Sequence, residues 1–263
     1  MGKWIDNENE GNLDQFFENN RTYFYRDTLS GRFKELYIKE LNKTVFEFIP
    51  SEFDIALLKT IAKEKSLYTN SNNQYDMHRT SIEKINKQFE GCLAEFAVAK
   101  FLIQVFGEEP SNVHVYDAER VDFQYKAGEE YDIKVIREGI EKRCEVRNSW
   151  SYKTDIKEFC EHLDLIGSYT NETKQSEELA DFFIRPVLQT PSKVNSIPKC
   201  TIKLIEAQKV KMYIIAACTK AQLLEKGNFN PNISRANTKY KTVKINQLSS
   251  IEEFLETYNG MFK

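Results

Sequence analysis

The chain has 263 residues, 41% of them hydrophobic and 29% charged, enough for one large or two small domains with a real core. Its 37 Lys and Arg against 40 Asp and Glu give a net charge of −3, but from Pro191 to Lys263 there are 12 basic and 5 acidic residues (+7), leaving 25 against 35 (−10) before them. No stretch reaches the roughly 18 uninterrupted apolar residues of a membrane span, and residues Met1 to Glu10 are acidic without an apolar core, so neither a membrane partner nor a secretory signal is expected.

In chain order, the first 30 or so residues are polar and aromatic without a clean period and form a peripheral arm. Ser51-Glu-Phe-Asp reads as a helix start, followed at helical spacing by Ile55, Leu57, Leu58, Ile61 and Ala62. Thr69 to Asn73 is a polar loop. Ser81 to Phe106 is the strongest helix, apolar at Ile85, Phe89, Cys92, Leu93, Phe96, Ala97, Phe101 and Leu102, and Gly107 ends it. After Pro110 the period becomes strand-like at Val113–Tyr116, Asp122–Tyr125, Tyr131–Ile136, Arg143–Asn148, Phe182–Leu188 and Lys211–Ala217. Arg137 to Lys142, with its one glycine, reads as the turn of an antiparallel hairpin. Short helices are expected at Thr154–Leu165, Thr219–Lys226 and Ser250–Tyr258. The fold class is therefore α/β or α+β, a central mixed sheet with the long helix on one face. The expected divisions are a mainly helical region at 1–80, a core at 81–226, and a basic strand, loop and final helix at 227–263.

The chemistry-bearing motifs are few. Cys92, Cys144, Cys160, Cys200 and Cys218 are scattered and never in CxxC spacing, which suggests reduced thiols of a cytoplasmic protein. Three histidines without HExxH spacing argue against zinc, and the absence of GxGxxG, GxxxxGK[ST] and GxSxG argues against a nucleotide cofactor or a serine-hydrolase elbow. What remains is the predicted hairpin. Asp132 lies on one strand; on the other, alternation puts Glu145 and Arg147 on one face, which the hairpin can bring beside Asp132. Two converging carboxylates repel unless a cation lies between them, and an oxygen-only set suits Mg²⁺, with Mn²⁺ as the alternative. An acid-x-base pair on a strand also describes a plain cross-strand ion pair.

This arrangement resembles the PD-(D/E)XK superfamily, the restriction-endonuclease-like nucleases: an acid, a turn, then acid-x-Lys, preceded by a core helix that often adds a glutamate. Asp132 matches the first acid, Glu145 the second, Arg147 the lysine position, and Glu95 the helix glutamate, with Glu90 competing for that role and Asp122 competing with Asp132. The order helix, strand, hairpin strand, helix, strand fits over about Ser81 to Lys226. The resemblance implies a restriction-endonuclease-like fold and a Mg²⁺-dependent endonuclease, type II in style, that cuts double-stranded DNA as a homodimer; the alternatives are a repair, recombination or phage-defence nuclease of the same fold, or, with arginine at the lysine position, an inert nucleic-acid-binding module. Asp132, Glu145 and Glu95 would bind metal. Arg147, which cannot deprotonate water, would stabilise the transition state; Lys134 is the alternative cation and Lys153 a weaker one. No proline precedes Asp132. Arg235, Lys239, Lys241 and Lys244 form a basic stripe suited to phosphates or, equally, to protecting a strand edge. The acidic segment Asp155–Asp164 and the Glu-rich loop Asn171–Glu178 should face away from DNA; Asp181 and Arg185 begin a buried strand and read as structural first, with Arg185 the alternative phosphate contact.

Overall fold

The computed structural model describes residues 31–69, 78–119, 131–153, 155–170, 178–189, 202, 205, 210–230 and 239–263. Strands β1 (Arg32–Ile38) and β2 (Lys43–Ile49) form an antiparallel hairpin. Helix α1 (Glu52–Ser66) starts where the Ser51 hydroxyl accepts from the Asp54 N–H and the Asp54 carboxylate accepts from the Ser51 N–H; Thr80 and Glu83 repeat this capping box at α2 (Ser81–Gln104). There follow β3 (Val113–Val115), α3 (Tyr116–Glu119), β4 (Ile133–Arg137), β5 (Ile140–Val146), β6 (Ser149–Ser151), α4 (Ile156–His162) and β7 (Asp164–Thr170). The chain continues through β8 (Phe182–Gln189), β9 (Lys211–Thr219), α5 (Lys220–Lys226), β10 (Asn228–Asn230), β11 (Lys239–Lys244) and α6 (Ile251–Gly260).

The main sheet has the order β1-β2-β9-β8-β5-β4-β3, with β6 also pairing β8. It is mixed: β5 and β6 run parallel to β8, and the other neighbours are antiparallel. A parallel neighbour needs a crossover, and the segment holding α4 and β7 supplies it. The residues of β8 and β9 divide between two cores, and the buried residues of β4 and β5 face the first of them. Ile133, Val135, Cys144, Phe182 and Ile184 pack under α1, α2 and α6 with Phe89, Phe96, Phe101, Phe254 and Tyr258. Phe183, Val187 and Tyr213 pack on the opposite face with Phe159, Leu165, Leu223 and Val243, under α4, α5 and a three-stranded sheet of order β10-β11-β7. The protein is thus an α/β fold, a mixed sheet between flanking layers.

The five predicted strands and five predicted helices that fall on described residues form within a few positions, except that Asp164 and Leu165 belong to β7 rather than to the helix before it. The 1–80 region, expected to be mainly helical, instead contributes β1 and β2 as the far edge of the main sheet; the β-branched and aromatic residues Thr44, Val45, Phe46 and Phe48 carried that signal. Asp122–Tyr125, the arm before residue 31 and most of the loop after Thr69 lie outside the described residues. The hairpin turn is tighter than the six-residue one expected. Only Glu138 (φ 50°) and Gly139 (φ 83°) turn the chain, both left-handed as a type I′ turn requires, so β5 begins at Ile140.

A polar network ties α6 to the sheet edge. Buried Glu108 accepts from Arg137 Nε at 2.7 Å and from the Tyr258 hydroxyl, and Arg137 reaches Asn259 Oδ1 at 2.9 Å. The Arg137 guanidinium also lies 4.6 Å from the Phe262 ring centroid. Removing the cation would strand a buried carboxylate. Arg137→Ala is therefore expected to cost about 3 kcal/mol in urea unfolding, with Arg137→Lys recovering part of it. Burial also raises the thiols of Cys160 from 9.0 to about 11 and of Cys218 from 9.0 to about 12, and raises Cys144, Tyr213 and Tyr258 as well. Groups with a raised folded pKa give stability that is complete below pH 9 and lost as pH climbs through the folded values. The unfolding free energy from urea titrations should therefore fall between pH 9 and 12, by about 1.4 kcal/mol per pH unit for each thiol between 9 and its folded value.

Candidate functional site

The open end of the β4–β5 hairpin gathers the motif residues. Ile133 pairs with Cys144 and Lys134 with Arg143, so one step beyond the ladder Asp132 stands opposite Glu145. Asp132 is held from both neighbours: its carboxylate accepts from the Val146 N–H at 2.7 Å, and its carbonyl accepts from the Tyr116 N–H at 3.1 Å. Glu145 sits beside Phe183 of β8 and forms an ion pair with Arg147, both side chains remaining partly exposed. Cys144 points into the opposite core. Burial first, then the charges of Asp132 and Glu145, push its thiol well up, so both carboxylates act on one sulfur.

The chain after β5 is fixed by a buried arginine. Arg185, 2% exposed on β8, donates to the Arg147 carbonyl at 2.5 Å, to the Asn148 carbonyl at 3.5 Å and to the Ser149 hydroxyl. Burial pushes its guanidinium down to about 9; the charge of Asp164 opposes that shift and Arg147 adds to it. Asp164 in turn accepts from Thr242 Oγ1 at 3.0 Å and pairs with Lys244 at 2.6 Å. On the other side of the segment after β5, Asn148 Nδ2 donates to the Glu90 carbonyl at 3.0 Å and Trp150 Nε1 to the Glu90 carboxylate at 2.9 Å.

On α2, Glu90 is bonded to the segment after β5, and the charge of Glu95 helps to raise Lys65, which pairs with buried Asp117. Burial opposes the Lys65 charge, but Cys92, Glu95 and Asp117 outweigh it and hold the ammonium above the usual lysine range. The helical register decided this: five residues are about 1.4 turns, enough to aim the two glutamates in different directions. Asn148 and Trp150 carried no sequence signal beyond lying next to the motif, and Arg185 proves structural, as its buried strand implied, but for the motif itself.

The cations divide into paired and unpaired. Lys134 lies 3.8 Å from Glu141 and over the Tyr131 ring at 4.8 Å, and Lys153 lies 3.1 Å from Glu158. The acidic segment Asp155–Asp164 is joined to the basic strand, through β7 pairing β11 and Asp164 pairing Lys244. Strand pairing overrode charge segregation here because β7 is the strand that β11 extends. Among the described residues, Lys239 and Lys241 have no carboxylate partner; Arg235 lies outside them.

Among the described residues no three His, Cys, Asp or Glu side chains converge as a ligand group. Mg²⁺ does not need three, since it keeps several waters and commonly takes one or two carboxylates plus substrate phosphate, and Asp132 with Glu145 fits that donor set. No family model matches the chain, and no curated protein or solved structure does either.

Arg185→Met should keep the strand apolar yet free residues 147–149, costing about 2–4 kcal/mol for the lost bonds to three oxygens. Hydrogen exchange followed by mass spectrometry should show the peptide holding Arg147 to Ser149 exchanging faster at denaturant-free, fully folded conditions. Unchanged exchange there would show that Arg185 does not brace the segment.

Proposed function

We propose that the chain is a metal-dependent nuclease of PD-(D/E)XK type that hydrolyses phosphodiester bonds in DNA, with Asp132 and Glu145 as metal-holding carboxylates. The observation that carries the reading is one of register and order together. A long helix precedes a three-stranded antiparallel meander, β3-β4-β5; the crossover with α4 leads to β8, parallel to β5. The two acids then face each other at the open end of the central hairpin. That is the order and the placement that the family resemblance implies, with Glu90 taking the helix position in place of Glu95.

Mg²⁺, or Mn²⁺ in its place, would polarise the phosphodiester and lower the pKa of a water. The chain's own residues do the rest. Asp132 is oriented by the Val146 N–H, from which its carboxylate accepts a hydrogen bond. Arg147, paired with Glu145, would offset charge on the phosphate, and a guanidinium, which stays protonated, would not act as a base. Cutting both strands of a duplex takes two copies of such a single site, hence a homodimer. No described helix is long and apolar enough to cross a membrane.

A second reading, a nucleic-acid-binding module without hydrolysis, draws on the same ion pair: an arginine at the lysine position neutralises Glu145 directly. Plasmid cleavage separates the two. Wild type with Mg²⁺ or Mn²⁺ should cut; Asp132→Asn and Glu145→Gln should each lose at least about 100-fold while circular dichroism stays unchanged, since Asn still accepts from the Val146 N–H. Arg147→Lys should cut at least as well as wild type. Cleavage that survives both carboxamide variants rejects the nuclease reading, and DNA binding without cleavage in any divalent metal establishes the second one.

A further inference from the structure

The three-stranded sheet carries an exposed face that the hydrolytic site does not use. Phe229 is 61% exposed on β10, although most large aromatic side chains here are buried. Its register partner on β11 is Lys241, whose ammonium lies 5.9 Å from the ring centroid. Lys239 falls on the same side of β11, two residues away, because the register irregularity of β11 lies beyond Lys241. Neither lysine has a carboxylate partner among the described residues, in contrast to Lys134, Lys153 and Lys244. An apolar ring flanked by two free ammonium groups suits a ligand that is both flat and anionic.

The platform is also held in place. Gly227 leads from α5 into β10, and a Cβ there would come within 2.1 Å of the Leu223 carbonyl oxygen and 3.1 Å of Lys241 Cε. Only glycine fits so tight a connection, and the tightness fixes Phe229 against Lys241. The lysines are about 7 Å apart along the strand, of the order that separates successive phosphates in an extended nucleotide chain. A base can stack on the Phe229 ring only if it is unpaired or splayed, because bases inside a duplex already stack on one another.

We propose that the Phe229–Lys241–Lys239 face binds single-stranded nucleic acid, one base stacked on Phe229 and the adjoining phosphates on the two lysines. The inference deepens the nucleic-acid reading above by naming the substrate class, a strand with unpaired bases. It does not require the metal site.

The test is fluorescence anisotropy of the full chain, in EDTA, with a labelled oligo-dT of about ten nucleotides and a duplex of equal length. Single strand should bind more tightly than duplex. Phe229→Ala should weaken single-strand binding about 5- to 100-fold, Phe229→Trp should restore it, and Lys239→Ala with Lys241→Ala should flatten the salt dependence by about 0.7 per lysine. Unchanged oligonucleotide binding in Phe229→Ala overturns the proposal. So does a salt slope unaltered by the lysine variants, or sedimentation showing that Phe229→Ala merely dissociates a self-associated chain. Asp132→Asn serves as the control: its expected loss is of cleavage in Mg²⁺ and not of binding in EDTA. Failure of the nuclease reading and failure of this one therefore appear in different measurements.

Discussion

Most of what this structure positions depends on the two-residue turn at Glu138 and Gly139. Side chains of a strand alternate between faces, so slipping β5 by one residue against β4 would carry Cys144 out of the core and Glu145 into it. The left-handed pair of the type I′ turn leaves no room for such a slip, and the inner face of Ile133, Val135 and Cys144 reinforces the same register by burial. Once that register is set, Asp132 and Glu145 face each other without further specification.

Buried charge is the second constraint, and each instance does one mechanical job. Arg185 lies inside the sheet because its donors meet carbonyl and hydroxyl oxygens of residues 147–149, converting a costly burial into a brace for the segment that follows the motif. Glu108 and Arg137 fasten α6 to the meander, and Lys65 with Asp117 fastens the end of α1 to α3. None of these pairs has to be strongly stabilising in itself; breaking one leaves an uncompensated charge, which is what makes each a fixed point.

Charge placement across the fold is less segregated than the chain's composition suggests. The −10 and +7 segments meet where β11 pairs with β7 and Lys244 binds Asp164. Part of the basic stripe is therefore spent inside the fold. The cations still open to a polyanion, Lys239 and Lys241, lie beside Phe229 on the small sheet, so the basic segment splits into an internal and an external share.

Local signals in the sequence determined the elements. Capping boxes at Ser51, Thr219 and Ser250 start their helices in the structure as well, and the apolar period from Ile85 to Leu102 specified α2 and the face it buries. The acid-turn-acid spacing likewise specified a hairpin with Asp132 and Glu145 at one end. Decisions that needed distant parts of the chain were not legible. Which α2 glutamate meets the motif depends on how α2 is rotated on the sheet, and that is set by packing of Phe89, Phe96 and Phe101, not by the glutamates. The addition of β1 and β2 to the edge at β9, the pairing of Lys244 with Asp164 and the brace from Arg185 all join residues far apart in sequence. Patterns of spacing report local geometry because backbone dihedrals and nearest neighbours fix it; partners across the fold are chosen by the packing of the whole core, which only the tertiary structure contains.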